Sequence, residues 1–291
     1  MISVRKIILS PNPYRDKGFK TALAAEKLLQ QMGVATRICL PFNVDKGFEL
    51  PHRIKLCQLE EELRDADMLV CFGGDGTILH ASKEATKNEV PILCVNVGNL
   101  GFMAELESNE LALLERAVND EYTLERRMML DVSVRRGDEI IYTDTALNDA
   151  VITKGAVARE VQLAVYCDGV QATEFSGDGV IVCTPTGSTA YSMSAGGPIT
   201  EPTAKNIIVT PICAHALYAR SIVLSDSRTV TVEMESAGKK SGYLSVDGGR
   251  AVRLGLTDEV RITRSQKETR LVRIKDTSFY SVINNKFRTS R

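Results

Sequence analysis

The sequence lacks an excess of charge of either sign. Its 291 residues include 36 basic and 37 acidic side chains, which give a net charge of −1. Non-specific nucleic-acid binding needs a clustered basic surface, so this balance argues against it. No apolar run is long enough to span a bilayer, and the run from Met1 to Leu9 is typical of a first strand rather than a signal peptide. We therefore expect a cytoplasmic protein with no membrane and no nucleic-acid partner.

The sequence also lacks paired cysteines and clustered histidines. None of the seven cysteines forms a CxxC pair, and an odd number suits a complete disulfide set poorly. Four lie in apolar, strand-like runs: Cys71, Cys94, Cys183 and Cys213. We expect the cysteines to be small buried side chains in a reducing compartment. The histidines His52, His80 and His215 do not have metal-ligand spacing, so we expect no metal held by the protein alone.

The N-terminal part of the chain alternates strand and helix patterns. Strands are predicted at 6–10, 34–40, 68–72 and 91–96, and helices at 18–32, 59–66, 77–86 and 109–119. Such alternation is typical of a parallel sheet with helices packed on it.

The pattern changes near Tyr122. Short strands are predicted at 128–135, 139–142, 161–167, 170–175, 180–183, 207–212, 229–235, 242–246, 251–254, 259–263 and 269–274. Asp168-Gly169 favours a two-residue hairpin turn, and strands at this spacing indicate a β-sandwich or a similar stack of sheets. The predicted organisation is an α/β domain over 1–125, a β-rich domain over 126–275 and a C-terminal segment over 276–291 with a helix at 276–287.

The strand at 68–72 leads into Gly73-Gly74-Asp75-Gly76-Thr77 and then a helix. Glycines let a backbone approach a phosphate closely, and a helix start directs free N–H groups and positive dipole at it. The segment is not a Walker A loop, and Leu79 occupies the place of the third glycine of a Rossmann dinucleotide turn. Asp75 would repel a phosphate unless it holds Mg²⁺ or takes a proton from an attacking hydroxyl, as phosphoryl transfer requires. A tight turn closed by an Asx hydrogen bond is the alternative.

Three further segments are rich in polar groups. Residues 184–194 carry seven hydroxyls, and Thr186 or Ser188 is expected to cap a short helix there. These hydroxyls are suited to ribose, amide and phosphate groups, and a plain polar loop is the alternative. Asn148-Asp149 lies in an apolar strand-like run, where a ligand's hydroxyls or a β-bulge would satisfy it. Asn96–Phe102 is a strand end followed by a glycine turn.

These segments and three others follow one another along residues 68 to 250. They are Gly73–Thr77, Asn96-x-Gly98-x-Leu100-Gly101-Phe102, Asn148-Asp149, Gly177-Asp178-Gly179, Thr184–Tyr191, Gly196–Ile199 and Pro211–His215. Their set resembles the NAD kinase family. The GGDGT motif alone is shared with lipid kinases and phosphofructokinases, whereas its combination with NxGxLGF and TPTGSTAY is highly specific.

The resemblance implies a Rossmann-like α/β N-terminal domain and a β-sandwich-like C-terminal domain, with the C-terminal segment returning to the first domain. It implies transfer of the γ-phosphate of ATP, in some members also of polyphosphate, to the 2′-hydroxyl of the adenosine ribose of NAD, giving NADP. It further implies Mg²⁺ or another divalent cation that enters with ATP, and a homo-oligomer, either dimer or tetramer.

The resemblance also assigns roles to residues. Asp75 would accept or orient the proton of the 2′-hydroxyl, with positioning contributing more than full deprotonation. Asn148 and Asp149 would bind the ribose hydroxyls. The other implied nucleotide-binding residues are Phe102 at the adenosine pocket, Thr189, Ala190 and Tyr191 at the adenine, Asp178 and Ser194 at the nicotinamide end, and Gly74, Gly76, Thr77, Thr186 and His215 elsewhere in the site.

The chain departs from the family pattern at three places. The family usually has Asn-Glu in place of Asn148-Asp149, which shortens the carboxylate arm here by one methylene. Prolines usually stand where this chain has Ala214 and Ser221, which removes their rigidity from that loop. Asp-Gly-Gln is common where this chain has Asp247-Gly248-Gly249, a segment that also suits a plain hairpin turn.

Two other functions stay open from the sequence. One is a GGDGT kinase for a lipid or a sugar, against which residues 184–191 and Asn148 argue. The other is a non-catalytic NAD(P)-binding regulator with the same fold, against which the intact Asp75 argues.

Overall fold

The computed structural model describes residues 4–45, 48, 50–51, 54, 56–98, 101–155, 160–216, 218–235 and 242–289. Contacts divide the chain into a first unit, made of residues up to Arg126 and from Thr269 onward, and a second unit, Arg127–Glu268. The sequence analysis placed these boundaries after residues 125 and 275. Within the described ranges, every helix is too short or too polar to cross a lipid bilayer.

The first unit is built on a parallel sheet. Its strands are β1 (Lys6–Pro11), β2 (Ala35–Cys39), β3 (Leu56–Cys57), β4 (Met68–Gly73), β5 (Ile92–Asn96) and β6 (Leu106–Glu107). The strand order is β3-β2-β1-β4-β5, with β6 paired to the end of β5. This is the order of doubly wound folds, which bind ligands outside the carboxyl ends of the strands where the order reverses, here between β1 and β4. The predicted Rossmann-like α/β architecture is thereby confirmed.

The helices differ in length from the predictions. They are α1 (Lys20–Gln31), α2 (Leu59–Glu62), α3 (Asp75–Lys87), α4 (Leu114–Val118), α5 (Tyr191–Ser194) and α6 (Phe279–Thr289), with 3-10 turns at Lys17–Phe19, Leu63–Asp65, Leu111–Leu113 and Gly187–Thr189. The helices predicted at 59–66 and 109–119 each form as one short helix and a 3-10 turn. Short helices depend on a packed face, and α2 buries none of its own residues, so it ends where Leu63 enters the core.

The second unit consists of two antiparallel sheets. The strands, two of which extend into the first unit, are β7 (Thr123–Arg136), β8 (Glu139–Ala146), β9 (Asp149–Lys154), β10 (Val161–Cys167), β11 (Val170–Gly177), β12 (Gly179–Cys183), β13 (Asn206–Ile212), β14 (Ile222–Ser225), β15 (Val230–Glu235), β16 (Gly242–Val246), β17 (Val252–Leu254) and β18 (Asp258–Arg273). One sheet has the order β14-β13-β12-β9-β16-β17, and the other runs β11-β10-β15-β18 and continues to β7 and β8. One buried cluster contains side chains of both sheets, including Ile152 and Leu163, which confirms the predicted sandwich.

The sequence prediction is right at the Asp168-Gly169 turn and wrong at the strand β18. Asp168 and Gly169 have φ values of 50° and 80°, as a favoured two-residue hairpin turn requires, so the predicted hairpin is confirmed. The prediction of two strands at 259–263 and 269–274 is wrong, because β18 is continuous over Asp258–Arg273. The polar residues between the predicted strands include no glycine or proline that would end a strand.

Most cysteines lie where the sequence analysis expects them. Cys39, Cys71, Cys94 and Cys183 are buried free thiols. Burial raises the pKa of Cys71 to about 12, which leaves it protonated and unreactive. The prediction is not met by the other three. Cys57 and Cys167 are half-buried, and Cys213, which follows β13 in a left-handed conformation with a φ of 47°, is exposed.

A buried ion pair in the first unit joins the end of β18 to the loop before β6. Arg273 Nη1 lies 3.1 Å from Glu105 Oε2, and Arg273 Nη2 lies 2.8 Å from Glu125 Oε1. Glu105 Oε1 also accepts hydrogen bonds from the N–H groups of Ile274 and Lys275 at 2.7 and 2.6 Å. Glu105 is only 5% exposed and the Arg273 side chain is 18% exposed, so the loss of Glu105 would leave a largely buried guanidinium and two backbone donors without this acceptor.

We therefore expect Glu105→Ala to lower the free energy of unfolding by about 3–5 kcal/mol, the range for breaking a buried ion pair. Urea unfolding followed by circular dichroism measures this change. Glu115→Ala is the matched control, because Glu115 is exposed on α4 and its loss should change stability by less than about 0.5 kcal/mol. Equal stabilities of the two variants would contradict a stabilising role for the ion pair.

Candidate functional site

The first group of candidate residues lies in the first unit, at the carboxyl end of β4. Gly73 ends β4, Gly74 precedes α3, and Asp75 is the first residue of α3, two residues before the predicted helix start at Thr77. A Cβ on Gly73 would lie 2.2 Å from Thr77 Oγ1 and 3.1 Å from Asn12 Cβ. Glycine is therefore required at position 73, because the first turn of α3 packs directly against the strand end.

The Asp75 carboxylate is fixed by two backbone donors. Its Oδ2 accepts a hydrogen bond from the Phe102 N–H at 2.8 Å, and its Oδ1 accepts one from the Met103 N–H at 3.0 Å. These donors are 27 and 28 residues away in the sequence, so the carboxylate joins two segments and does not form the local Asx turn considered as an alternative. A carboxylate has about four lone-pair directions, so both oxygens retain capacity to accept another hydrogen bond.

Gly101 leaves room for this arrangement. A Cβ at that position would lie 2.1 Å from Asp75 Oδ1 and 2.8 Å from Asp75 Cγ. Any larger residue would therefore displace the carboxylate. The preceding residues Asn99 and Leu100, which belong to the same predicted motif, lie outside the described residues, as does His52.

A cavity of about 390 Å³ opens beside Asp75. It is lined by Gly74, Gly76, Thr77 and His80 of the GGDGT turn and α3, by Asn12, Arg15, Phe42, Val97 and Gly101, and by Lys286 of α6. A Cβ on Gly74 or Gly76 would meet no atom within 4 Å, so both glycines face open space. His80 also contacts the ring of Phe42, with 4.8 Å between ring centroids.

Asn12 and Arg15 are cavity residues that the sequence analysis missed. Asn12 Nδ2 donates to Thr77 Oγ1 at 2.9 Å, while Asn12 Oδ1 accepts from the N–H groups of Tyr14 and Arg15 at 3.0 and 3.2 Å. Asn12 thus joins the segment after β1 to the first turn of α3. The sequence signal was the predicted end of β1 at Pro11, because carboxyl ends of neighbouring parallel strands share one edge of the sheet.

Lys286 is the other missed residue, and it acts together with Phe102. The Lys286 Nζ lies 4.2 Å from the centroid of the Phe102 ring, within the range of a cation–π interaction. Phe279 of the same helix packs on Phe102 with 6.4 Å between ring centroids. No local pattern in the sequence indicates this contact, because it depends on where α6 packs.

The second group of candidate residues lies in the second unit, around Asn148 and Asp149. The sequence analysis placed this pair inside a strand, but Asn148 lies in the bend between β8 and β9, and Asp149 begins β9. The cause is Asp247, whose carboxylate accepts the N–H groups of Leu147, Asn148 and Asp149 at 2.7, 2.8 and 3.0 Å. Asp247 has a φ of 50° in the turn after β16. Asp247 therefore does more than form a plain hairpin turn.

Asn148 and Asp149 are both buried, and the Asn148 side chain is incompletely satisfied. They are 7% and 6% exposed. Burial, with a contribution from the nearby Asp247 carboxylate, raises the pKa of Asp149 to about 7. Within the described part of the chain, Asn148 Oδ1 has no hydrogen-bond partner. An unsatisfied buried acceptor costs about 1–3 kcal/mol, so this oxygen is suited to a hydroxyl or amide donor from a ligand.

The loop that follows β12 packs directly on Asn148. The Thr184 N–H donates to Asn148 O at 2.9 Å, and Thr184 Oγ1 donates to Leu147 O at 2.6 Å. Gly187 lies so close that a Cβ would be 2.2 Å from Asn148 O. Thr186 lies at the N-cap position of the 3-10 turn, as predicted, but its side chain makes no capping hydrogen bond. The Gly187 N–H donates instead to Thr184 Oγ1 at 3.1 Å, and Ser188 lies inside the turn.

Thr186 and Ser188 have other partners. Thr186 Oγ1 accepts from Arg127 Nη1 at 3.1 Å, and Ser188 Oγ donates to Pro185 O at 2.6 Å. Both side chains are buried, so these contacts are shielded from water.

The remaining predicted nucleotide-binding residues also belong to the second unit. Thr189 and Ala190 are half-buried, Tyr191 is 44% exposed at the start of α5, and Ser194 is exposed at its end. Asp178 Oδ1 lies 2.6 Å from Lys154 Nζ, and His215 Nδ1 lies 3.0 Å from Glu160 Oε2. The Asp178 N–H donates to Ile212 O, and the His215 N–H donates to Ser176 O. The structure thus brings Asp178 and His215 to the same end of the six-stranded sheet.

Two family models match the chain. The model described as the ATP-NAD kinase N-terminal domain matches residues 19–122, and the ATP-NAD kinase C-terminal domain matches residues 147–274. The NAD kinase of Caldanaerobacter subterraneus subsp. tengcongensis is 36% identical over 97% of this chain and 99% of its own length. That of Moorella thermoacetica is 42% identical over 79% of this chain and 73% of its own length.

Two solved structures are similar over most of the chain. A yeast NADH kinase complexed with NADH aligns with a TM-score of 0.82 and 25% identity over 97% of this chain and 86% of its own. An NAD kinase from Archaeoglobus fulgidus in complex with ATP aligns with a TM-score of 0.74 and 26% identity over 97% of this chain and 98% of its own. From the matched domains and from relatives aligned over nearly the whole length, the chain belongs to the NAD kinase family.

Proposed function

We propose that this chain transfers the γ-phosphate of ATP to the 2′-hydroxyl of the adenosine ribose of NAD, giving NADP. The observation that carries the proposal is the Asp75 carboxylate. It is fixed by two backbone N–H groups beside an open cavity, at the sheet edge where doubly wound folds bind ligands. Family membership supplies the substrates, since the relatives are NAD kinases and the similar structures contain NADH and ATP.

Asp75 in this proposal orients the 2′-hydroxyl toward the phosphoryl donor. A ribose hydroxyl is a weak acid, and the transition state of phosphoryl transfer is loose, so positioning contributes more than proton removal. The two backbone N–H bonds hold the carboxylate in one orientation before substrate arrives. The acid is thus pre-organised, and little reorganisation is needed in the transition state.

Asn148 and Asp149 in this proposal bind the ribose hydroxyls of NAD. Asn148 Oδ1 supports the assignment, because a ligand hydroxyl supplies the donor that this buried acceptor lacks among the described residues. Thr189, Ala190 and Tyr191 would line the adenine side, and Phe102 would border the adenosine. Asp178, whose carboxylate already pairs with Lys154, would face the nicotinamide end with Ser194, and His215 would contribute nearby.

A divalent cation, Mg²⁺ in the simplest case, would enter with ATP. Asp75 is the one carboxylate among the described residues that line the cavity. Mg²⁺ is commonly bound by one or two carboxylates together with substrate phosphates, so this donor set fits a cation that the substrate brings. The cation would neutralise phosphate charge as the bond to the γ-phosphate breaks. No group of three or more candidate metal ligands occurs in the described ranges.

A cytoplasmic location and assembly into a homo-oligomer of two or four copies are further proposals. They rest on the sequence analysis and on the family resemblance. Sedimentation velocity on the purified chain measures the number of copies.

The direct test of the function is NADP formation from NAD with ATP and Mg²⁺, detected with an NADP-specific dehydrogenase. Polyphosphate in place of ATP tests the range of phosphoryl donors. Absence of NADP with both donors would reject the proposed function, and phosphorylation of a lipid or a sugar instead would favour the other class of GGDGT kinase.

We expect Asp75→Asn to lower kcat by about 10²–10⁴-fold, the range for a residue that handles a reacting proton. The amide can accept only one of the two backbone hydrogen bonds, so thermal unfolding of the variant is measured alongside kcat. Asp138→Asn is the control, because this carboxylate is fully exposed in a hairpin turn. Unchanged NADP formation by the Asp75 variant would reject the mechanism.

Gly101→Ala tests position separately from charge. The new Cβ would lie 2.1 Å from Asp75 Oδ1, so the carboxylate is kept but displaced, and kcat should fall by about 10²-fold, as an ångström-scale misplacement can cost. Gly255→Ala is the matched control, because its Cβ would meet nothing closer than 3.6 Å. If Gly101→Ala retained the wild-type kcat, the proposal that catalysis depends on the position of the Asp75 carboxylate would be contradicted.

The raised pKa of Asp149 predicts pH-dependent NAD binding. The carboxylate form accepts ribose hydroxyls, so below its pKa of about 7 the group must lose a proton before NAD binds. The Kd for NAD, measured by calorimetry, should rise by up to about tenfold per pH unit as the pH falls from about 7 to 5, and should level off above pH 7. Asp149→Asn should remove this dependence, and a profile that is flat in the wild type would contradict the role of Asp149.

A further inference from the structure

The cavity beside Asp75 has an unusual charge composition for a site that takes a phosphorylated donor. Its charged lining residues in the described part of the chain are one carboxylate, Asp75, and two cations, Arg15 and Lys286. A triphosphate brought to Asp75 meets a like charge at short range, and this repulsion is strong where water is partly excluded. Cations in the same cavity would offset it and raise the local concentration of a polyanion.

Lys286 occupies a defined position relative to Asp75. Its Nζ lies 4.2 Å from the centroid of the Phe102 ring, and the Phe102 N–H donates to Asp75 Oδ2. Phe279, seven residues earlier on α6, packs on the same ring. Residues seven positions apart lie on the same face of a helix, so two contacts of α6 hold the ammonium over Phe102.

Arg15 approaches the cavity from a different segment. It is exposed, and its Nη1 lies 3.6 Å from the place that a Cβ on Gly98 would take. Its backbone N–H donates to Asn12 Oδ1, and Asn12 Nδ2 in turn donates to Thr77 Oγ1. The guanidinium is therefore carried by a segment that is bonded to the first turn of α3.

We propose that Lys286, together with Arg15, binds the phosphate chain of the phosphoryl donor, so that α6 forms part of the donor site. The inference rests on the proposed function, because it takes the cavity beside Asp75 as the place of the reacting phosphate. A lysine ammonium is a compact point charge with three donors, so it can contact phosphate oxygens while its stem packs on Phe102. The chemical class recognised is a chain of phosphates, shared by nucleoside triphosphates and inorganic polyphosphate.

A structural role for Lys286 is the competing explanation. A cation–π contact at a partly exposed site contributes only about 0.5–1 kcal/mol, so the lysine could serve merely to hold Phe102 in place. That role would affect NAD as well as ATP, since Phe102 is proposed to border the adenosine of NAD and its N–H group holds Asp75. Phosphate binding would affect the phosphoryl donor alone, and the two explanations therefore predict different kinetic effects.

The experiment compares Lys286→Met with Arg288→Met on the wild-type background. Methionine keeps an unbranched stem against Phe102 and removes the charge. Arg288 lies two residues further on α6, is exposed and is absent from the cavity lining, so its variant controls for the loss of one positive charge on the helix. Lys286→Arg tests rescue by a second cation. Steady-state kinetics with ATP and NAD are measured, together with calorimetric binding of inorganic tripolyphosphate and of Mg²⁺ with a non-hydrolysable ATP analogue.

Lys286→Met should raise KM for ATP by about tenfold or more, as the loss of one charged hydrogen bond predicts, with KM for NAD changed less than about twofold. Binding of tripolyphosphate and of the ATP analogue should weaken to a similar degree, Lys286→Arg should restore most of it, and Arg288→Met should behave as wild type. Weakening with the ATP analogue but not with tripolyphosphate would overturn phosphate recognition and indicate contact with the nucleoside.

Equal effects of Lys286→Met and Arg288→Met, or an equal rise in both KM values, would reject the proposal. The binding arms keep this test separate from the proposed function. If the wild-type chain made no NADP, and the Lys286→Met variant bound tripolyphosphate more weakly than the wild type, the proposed function would be rejected and the phosphate site retained. If the wild-type chain made NADP, and the Lys286→Met variant bound tripolyphosphate as the wild type does, the proposed function would be retained and the phosphate site rejected.

Discussion

The pair of hydrogen bonds from the Phe102 and Met103 N–H groups to the Asp75 carboxylate is the constraint on which the rest of the first unit's site depends. It fixes the acid at the start of α3 and fixes Phe102 beside it. Phe102 then provides the surface on which Phe279 and Lys286 of α6 pack. Because the carboxylate fills the space that a side chain at position 101 would need, glycine is required there.

The second unit uses a carboxylate in the same way. Asp247 accepts three consecutive backbone N–H groups from Leu147 to Asp149 and so determines the bend before β9. A carboxylate has several lone pairs and no donor of its own when ionised, so one side chain can hold a loop backbone. Holding a loop through its backbone leaves the loop's own side chains available, and Asn148 Oδ1 is unpartnered in the described part of the chain. Proximity of Asp247 also contributes to the raised pKa of Asp149, so the same contact shapes the loop and its charge.

Local patterns predicted the elements whose formation depends on local chemistry. The buried parallel strands, the Asp168-Gly169 hairpin and the glycine connection from β4 to α3 all have short-range signals, and the structure has them. The errors fall where partners are distant in the sequence. The side chain that bonds the Gly187 N–H is Thr184, which Leu147 and Asn148 hold through their carbonyl oxygens, and residues 258–273 form one strand.

The sequence by itself determined the class of fold, the family and the candidate site residue Asp75, because these depend on periodicity, turn residues and the order of motifs. Only the tertiary structure decided which groups surround that acid. Asn12 follows a different strand, Gly101 lies 26 residues further on, and Lys286 belongs to the last helix. Their convergence is set by strand order and by the packing of α6, and long-range contacts of this kind leave no periodic signal in the sequence around any one of the residues.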